Sequence, residues 1–279
     1  MWRARHRDFP TPVAVKFIPS DLEKGEDGHE RLLREGRILA RIDSPRVVRL
    51  LAIHDEAPRP FLVLEELRGE VLATFAKTRG QVPVRVTSRL IRGVGAAVEE
   101  VHAAGVVHGD LKPTNVFLTR VLQGAQHGLT VKLLDFGVSR SVEERPLESD
   151  RYPAGTPDYM SPEQVLSPLD PRTSWDIWAL AVLAYHLLTG AAPFDAHSLV
   201  STFLRASSAA CLPPSCLRPD LSPRVDAVFA RAFRRDPERR FRTVLDLVRA
   251  LVDALGHCHD APVVASSGVR LRNAFTPTL

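Results

Sequence analysis

Three side chains that could act together in chemistry lie within six residues of one another. Asp110, Lys112 and Asn115 offer a carboxylate, an ammonium group and an amide oxygen. Gly109 and Pro113 flank them, and both residue types are typical of turns and loops. The spacing therefore predicts a loop that directs all three groups into one cleft.

A second acidic motif follows, twenty residues after Asn115. Asp135-Phe136-Gly137 comes directly after the apolar run over residues 131–134, which predicts a strand. A carboxylate at a strand end suits a hard cation. Asp135 and Asn115 together offer two oxygen ligands, as Mg²⁺ prefers when phosphates supply the others. Either motif alone is weak evidence, but the ordered set is much stronger.

The elements that must position these motifs follow from residue patterns, since β-rich runs predict strands and apolar residues at helical spacing predict helices. The predicted strands are 12–18, 47–53, 61–65, 106–108, 116–118 and 131–134. The predicted helices are 29–42, 86–104, 174–189, 197–206, 223–234 and 243–255, and a long polar loop extends from 139 to about 157. Strands dominate the first quarter and helices the last half, which predicts an α+β fold with two unequal lobes.

Composition excludes several classes of protein. The chain has 279 residues, of which 44% are apolar and 25% charged, so it is not mainly disordered. Its longest apolar run, residues 177–188, is shorter than the roughly 20 residues of a membrane span, and the N-terminus shows no secretory signal. Cys211, Cys216 and Cys258 fit neither a disulfide framework nor a metal site. We therefore predict no membrane span and a cytoplasmic protein.

The basic residues are mainly arginine. Only five of the 37 Lys and Arg residues are lysine: Lys16, Lys24, Lys77, Lys112 and Lys132. Where arginine is the general cation, each lysine position is worth examining. The net charge of +4 does not indicate nucleic acid, because the basic residues are scattered among 33 acids and acids interrupt the densest run, residues 231–242. We predict no nucleic-acid partner.

Taken in order, the motifs resemble those of the eukaryotic-type serine/threonine protein kinases, especially the bacterial branch. The likeness runs from about residue 2 to residue 255. It rests on residues 108–115 and 135–137, and on further segments: Val13-Ala14-Val15-Lys16 with the phosphate-binding lysine, Glu35 as its helical partner, the hinge Leu64-Glu65-Glu66-Leu67, the docking loop over 155–160, Ser161-Pro162-Glu163, residues 176–180, and residues 236–241 with Arg240.

The resemblance implies a two-lobed kinase fold. It divides the chain into a β-rich N-lobe with hinge (1–67), a helical C-lobe (68–255) and a loosely ordered tail (256–279). Residues 2–6 resemble the second strand of the family's first hairpin, so the N-lobe is expected to lack the first strand and the glycine-rich loop. Either the true start lies upstream of Met1, which we prefer, or ATP binding is weakened. The 279-residue chain is expected to bind ATP poorly and to have low activity.

The resemblance also implies a function: transfer of the γ-phosphate of ATP, with Mg²⁺, to Ser or Thr hydroxyls of protein substrates. Asp110 would accept the hydroxyl proton, and Lys112 would stabilise the γ-phosphoryl oxygens. Asn115 and Asp135 would hold Mg²⁺. The nucleotide would contact seven residues: Lys16 and its partner Glu35 at the phosphates, and Ala14, Leu64, Glu65, Leu67 and Phe117 at the adenine.

Two implied contacts are structural. The resemblance packs His108 against Phe136 and pairs Glu163 with Arg240. A buried pair of the second kind is costly to break on one side.

Gly109 departs from the family pattern. The family usually has an Arg before the catalytic Asp, where it grips a phosphorylated activation loop, and glycine has no side chain to do so. Activity is therefore expected not to depend on such phosphorylation. Ser139, Ser141 and Ser149 are expected to be plain loop serines, although all three are potential phosphosites. Their replacement by alanine tests this, and a large loss of activity would contradict it.

Two other functions stay open. A small-molecule phosphotransferase of the aminoglycoside or choline type would share the sequence over 108–110. Three features argue against it: Lys112-Pro113, Asp135-Phe136-Gly137 and the segment over 155–163. A pseudokinase, acting as an interaction module, is supported by the absent glycine-rich loop. Five intact residues argue against it: Lys16, Glu35, Asp110, Asn115 and Asp135. The sequence does not indicate an oligomeric state.

Overall fold

The structure is a computed structural model of the 279-residue chain. It describes residues 1–5, 11–17, 26–56, 59–123, 126–141, 146–194 and 199–258. Most of the predicted tail over 256–279 lies outside these ranges, as do residues 142–145 of the predicted polar loop. Within the described ranges, no helix combines the length and the apolar character that a membrane crossing requires.

An antiparallel sheet and one helix form the N-terminal lobe. The strands, in the spatial order β1-β2-β4-β3, are β1 (Trp2–Arg5), β2 (Pro12–Phe17), β3 (Leu50–His54) and β4 (Phe61–Glu65). Helix α1 (Glu26–Arg41) packs on β3 and β4. In β2, Ala14 is paired with Leu64 of β4 and Lys16 with Leu62. Because side chains alternate along a strand, Ala14 and Lys16 lie on the same face.

The C-terminal lobe is mainly helical. Its helices are α2 (Leu72–Lys77), α3 (Val84–Ala103), α4 (Pro162–Leu166), α5 (Thr173–Thr189), α6 (Leu199–Ser208), α7 (Pro214–Leu217), α8 (Pro223–Ala232) and α9 (Val244–Leu255). Helix α5 is apolar and buried on nearly all sides, as expected for a helix at the centre of a domain. Helices α3, α8 and α9 pack against it. Helix α5 is therefore the centre of the C-terminal lobe.

Two small antiparallel sheets hold the loops that carry the motifs. One contains β5 (Gly69–Val71), β7 (Val116–Gln123) and β8 (Gln126–Leu133), and the other β6 (Val106–Val107) and β9 (Arg140–Ser141). Residues 108–115 lead from β6 to β7, and residues 134–139 lead from β8 to β9. Because β6 pairs with β9 and β7 with β8, the two loops are held side by side.

The predicted long helices are all present, with ends within three residues of those expected. Gly105 follows Ala104, the C-cap residue of α3, and has φ +71, a left-handed conformation that glycine adopts easily at a helix end. The predicted strand over 47–53 is wrong in its first half, because Val47 forms an isolated bridge to Leu133 and the strand begins at Leu50. Helices α2, α4 and α7 were not predicted, since they are too short to show an apolar period.

Candidate active site

The Lys16 ammonium lies between two carboxylates. Its Nζ is 2.7 Å from both Oε1 and Oε2 of Glu35 on α1, and 2.7 Å from Oδ1 of Asp135. Burial alone would lower the pKa of Lys16, but the two carboxylates outweigh it and raise the pKa. Three residues predicted for the site are thus brought together from β2, α1 and the loop after β8.

Asp135 keeps part of its carboxylate accessible. Its side chain is 48% exposed, and its contacts with the described residues fall on Oδ1, which accepts from Lys16 and from the Gly137 N–H at 3.3 Å. Burial opposes ionisation, but the Lys16 charge outweighs it and lowers the pKa of Asp135. The backbone φ of +60 is strained for a residue with a side chain, and such strain persists where the surroundings hold it.

Phe136 anchors this motif in the core. Its ring is buried and tilted against His108, with ring centroids 4.9 Å apart, which confirms the predicted packing. The Phe136 N–H donates to Oε1 of Glu35 at 3.3 Å. A ring nitrogen of His108, Nε2, lies 3.2 Å from the Leu134 carbonyl. His108 is buried and connects the two motif loops, which is a structural role.

Asp110, Lys112 and Asn115 form the second charged cluster. Lys112 Nζ is 2.6 Å from Asp110 Oδ2. Asn115 Nδ2 donates to the same oxygen at 3.0 Å and to the Asp110 carbonyl at 2.9 Å. The Leu134 N–H donates to the Asn115 carbonyl at 2.8 Å. Asn115 is thus attached to the residue directly before Asp135, which brings the two clusters next to each other.

A buried carboxylate on α5 holds the start of this loop. Asp176 accepts the N–H groups of His108 and Gly109, each at 2.9 Å, and bonds to Nε2 of His102 at 2.8 Å. Burial opposes its ionisation, but these partners outweigh it and lower the pKa of Asp176. Gly109 has φ +74, where a side chain would be strained. The backbone conformation at position 109 is therefore a second reason for a glycine there.

The segment before α4 reaches Asp110 from the other side. The Thr156 N–H donates to Asp110 Oδ1 at 3.0 Å. Gly155 approaches the same oxygen so closely that a Cβ there would lie 3.1 Å from it. A cavity of about 610 Å³ opens beside this contact, and Lys112, Thr156 and Tyr159 are among its lining residues. Two residues that contact the Asp110 carboxylate, Lys112 and Thr156, therefore line a surface cavity.

The predicted adenine contacts lie on both lobes. Ala14 and Leu64 are neighbours in the N-terminal sheet, and Phe117 is on β7. Leu67 follows β4 and packs against the core. The Glu65 N–H donates to the Arg49 carbonyl at 3.0 Å. A hydrogen bond from Glu65 to adenine would therefore use its carbonyl.

Lys132 is a neighbour of the site that sequence reasoning did not assign. Its Nζ lies 2.6 Å from Glu65 Oε1 and 3.2 Å from the Val47 carbonyl. It thus ties β8 to the predicted hinge. The scarcity of lysine was the sequence signal that singled it out, but nothing in the sequence indicated its partner.

The predicted pair Glu163–Arg240 is present in the C-terminal lobe, with Arg240 buried and Glu163 partly exposed. Nη1 and Nη2 of Arg240 lie 2.6 and 2.9 Å from the two Glu163 oxygens. Ser174 Oγ donates to Glu163 at 2.9 Å, and Arg240 Nε donates to the Arg234 carbonyl at 2.7 Å. The Arg240 guanidinium also stacks over Trp178, 4.7 Å from the ring centroid. Both charges are bound within the protein, as a structural role requires.

Known proteins are similar to this chain in sequence. The family profile described as protein kinase domain matches residues 1–248. The chain is 32% identical over 257 residues to the serine/threonine-protein kinase Pkn1 of Myxococcus xanthus, which covers 91% of this chain and 36% of Pkn1. It is 26% identical over 249 residues to a probable serine/threonine-protein kinase of Clostridium perfringens, which covers 89% and 35% of the two chains. It is 29% identical over 251 residues to PknA of Mycobacterium tuberculosis, which covers 87% and 55%.

The chain belongs to the protein kinase family, because the family profile covers nearly all of it. The predicted family and the predicted two-lobed α+β fold are confirmed. The chain spans about a third to about a half of the length of these curated relatives.

Proposed function

We propose that this chain transfers the γ-phosphoryl group of ATP to serine or threonine hydroxyls of protein substrates. Family membership and the names of the relatives support this class of reaction. The observation that carries the proposal is the meeting of two charged clusters, one around Lys16 and one around Asp110, from distant parts of the chain. Phosphoryl transfer needs little more from a protein than such positioning and charge neutralisation.

Asp110 is the proposed acceptor of the hydroxyl proton. In the step, a bond forms between the substrate oxygen and the γ-phosphorus while the bond from that phosphorus to its bridging oxygen breaks, which leaves ADP. The Thr156 N–H and Lys112 hold the Asp110 carboxylate before a substrate arrives, so little reorganisation is needed. Lys112 would add positive charge beside the transferred group.

Asn115 and Asp135 are the proposed Mg²⁺ ligands, and their chemistry fits that ion. The NH₂ group of Asn115 donates to Asp110, so its remaining polar side-chain atom is the carbonyl oxygen. Asp135 presents a half-exposed carboxylate. Mg²⁺ commonly takes one or two such protein oxygens, with phosphates and water as its other ligands. When bound, the ion would neutralise charge on the phosphates.

Lys16 is the proposed contact for the α- and β-phosphates, with Glu35 holding it in place. Ala14 lies two residues earlier on the same face of β2. A nucleotide with its phosphates at Lys16 would therefore place its base against Ala14, on the side of the hinge. The proposed adenine contacts are the side chains of Ala14, Leu64 and Phe117 and the backbone of Glu65 and Leu67.

The cavity lined by Lys112 and Thr156 is the proposed place for the polypeptide around the acceptor hydroxyl. Its lining comes from four separate segments: α2, the loop over 112–114, the segment that contains Thr156 and Tyr159, and the end of α5. An open cavity of about 610 Å³ has room for more than the reacting side chain.

Transfer of labelled γ-phosphate from Mg-ATP to a generic basic protein tests the function, with analysis of which amino acids are labelled. We expect Asp110→Asn to reduce transfer by about 100- to 10,000-fold, because it removes the proton acceptor but keeps the side-chain shape. Asp170→Asn is the matched control, since it removes an exposed carboxylate of the same lobe. An aminoglycoside acceptor measured in parallel tests the small-molecule alternative.

Equal transfer by the wild-type chain and Asp110→Asn would contradict the proposal. Absence of both transfer and Mg-ATP binding would favour a pseudokinase.

A further inference from the structure

A buried ion cluster outside the candidate active site joins α1 to the segment before α4. Oδ2 of Asp150 lies 2.7 Å from Nη1 of Arg34, and Oδ1 of Asp150 lies 3.2 Å from Nη2 of Arg140. All three residues are buried, with at most 9% of their surface exposed. Charges at this depth are rarely found unless they are paired.

Backbone groups complete the contacts of this cluster. The Leu147 N–H donates to Asp150 Oδ2 at 2.8 Å. Arg140 also donates to the Asp150 carbonyl at 3.2 Å and to the Pro168 carbonyl. Burial opposes ionisation of Asp150, but the hydrogen bonds from Arg34 and Leu147 and the charge of Arg140 outweigh it and lower its pKa. Asp150 is therefore a permanent negative charge at neutral pH.

The cluster is close in the chain to groups of the candidate site. Arg34 directly precedes Glu35 on α1. Asp150 comes six residues before Thr156, whose N–H donates to Asp110. The cluster therefore connects the helix that carries Glu35 to the segment that reaches the Asp110 carboxylate.

We propose that Asp150 is a positioning residue for phosphoryl transfer: its carboxylate holds α1 and the segment over 146–160 in the active arrangement, so that no phosphate has to be added to this segment. The inference rests on the proposed function and deepens it. The fixed charge keeps α1 where Glu35 pairs with Lys16. Gly109 supports the inference, because the residue before the proposed catalytic Asp has no side chain with which to bind a phosphate.

Two serine hydroxyls near the cluster are already bonded. Ser139 Oγ donates to the His108 carbonyl at 2.7 Å, and Ser141 Oγ accepts from Arg41 at 3.3 Å. Both serines are buried, so a modifying enzyme would not reach them in this arrangement. The third serine, Ser149, is partly exposed, and its Oγ accepts a hydrogen bond from Arg31 Nε at 3.0 Å. Next to it, the Asp150 carboxylate already supplies a negative charge to Arg34 and Arg140 without any modification.

Asp150→Asn is the main test. Asparagine keeps the shape but leaves the Arg34 and Arg140 guanidinium groups without a carboxylate between them. We expect kcat to fall about 10- to 100-fold, since small displacements of catalytic groups have effects of this size. We also expect little change in KM for the protein substrate, and faster hydrogen exchange in α1. Glu148→Gln is the matched control, because it removes an exposed carboxylate from the same turn and should leave all three quantities unchanged.

Two further variants test the proposal even if Asp150→Asn does not fold. Asp150→Glu keeps the charge and should recover most of the lost kcat. Arg34→Gln removes one cation but leaves Asp150 bonded to Arg140, so we expect an intermediate loss. All assays run well below the melting temperature of each variant. Phosphatase treatment of the wild-type protein should leave its rate unchanged.

Unchanged kcat in Asp150→Asn and Arg34→Gln would overturn the inference. So would failure of Asp150→Glu to recover activity, or loss of wild-type activity after phosphatase treatment. Hydrogen exchange separates this inference from the proposed function. If the wild-type chain transfers no phosphate, the proposed function fails, yet faster exchange in α1 of Asp150→Asn still supports the coupling. Unchanged exchange there overturns the coupling whatever the activity.

Discussion

The cleft between the lobes and the interior of the C-terminal lobe use the same kinds of charged side chain in opposite ways. The cleft groups are Lys16, Asp110, Asn115 and Asp135. The anchors of the C-terminal lobe are Asp176 and the pair Glu163–Arg240. Each anchor carboxylate is bound by several donors of the protein itself. Among the cleft groups, Asp135 leaves half of its side chain exposed.

The difference separates structural charges from functional ones. A buried carboxylate that neutralises a buried cation or holds a loop contributes mainly to stability and loop geometry. A charge held on one side and open on the other is pre-positioned for a substrate or ion. Removal of an anchor should therefore cost stability, and removal of a cleft group should cost activity. The predictions below test this separation.

Glu163→Gln should have the largest effect, and the effect should be on stability. Arg240 would stay buried with its charge uncompensated, so we expect the free energy of unfolding to fall by about 3–5 kcal/mol. Urea denaturation at pH 7 measures it. Arg239→Gln is the control, because it breaks an exposed pair with Asp236 and should cost less than about 1 kcal/mol. Equal losses in the two variants would show that Glu163 is not an anchor.

Asp135→Asn should affect activity far more than stability. The substitution removes the negative charge at the proposed Mg²⁺ site. We therefore expect the transfer rate to fall by at least about 100-fold and to require a higher Mg²⁺ concentration. A Mg²⁺ titration of the transfer rate and a thermal melt of the same sample measure both quantities. A melting temperature that falls as far as that of Glu163→Gln would break the separation.

Lys16→Arg should have a smaller effect, confined to the nucleotide. Arginine keeps the charge beside Glu35 and Asp135, so the melting temperature should hardly change. Its planar group does not reproduce the compact ammonium, and we expect KM for ATP to rise about 10-fold. Steady-state rates over a range of ATP concentrations test this. An unchanged KM would remove Lys16 from the proposed phosphate contacts.

Acidification should lower the free energy of unfolding through carboxylates of both regions. Asp135 in the cleft should account for the smaller part of this loss. The folded-state pKa values of Asp135 and Asp176 are lowered, so these groups stabilise the fold above about pH 4, the ordinary carboxyl range. That stability is lost as the pH falls through the folded pKa values. Melting temperatures from pH 7 to pH 2 should show the decline. Asp135→Asn should flatten it only slightly, because buried Asp176 remains; complete flattening would contradict the comparison.

Much of the fold was predictable because its signals are local. The apolar periodicity of the long helices is a property of neighbouring residues, and these helices are confirmed. The two motif loops were also identified locally, by residue type and spacing. Helices α2, α4 and α7 were missed because elements of four to six residues carry no readable period.

The sequence by itself determined which residues have the chemistry for phosphoryl transfer and in what order they occur. Only the tertiary structure decided which charges meet. Arg34 and Asp150 are 116 residues apart, and Lys132 and Glu65 are 67 apart. Nothing in the local sequence of either partner indicates the other, because such a contact depends on how the elements between them pack. The half-exposed position of Asp135 and the complete burial of Asp176 are likewise properties of the packed chain and not of any single residue.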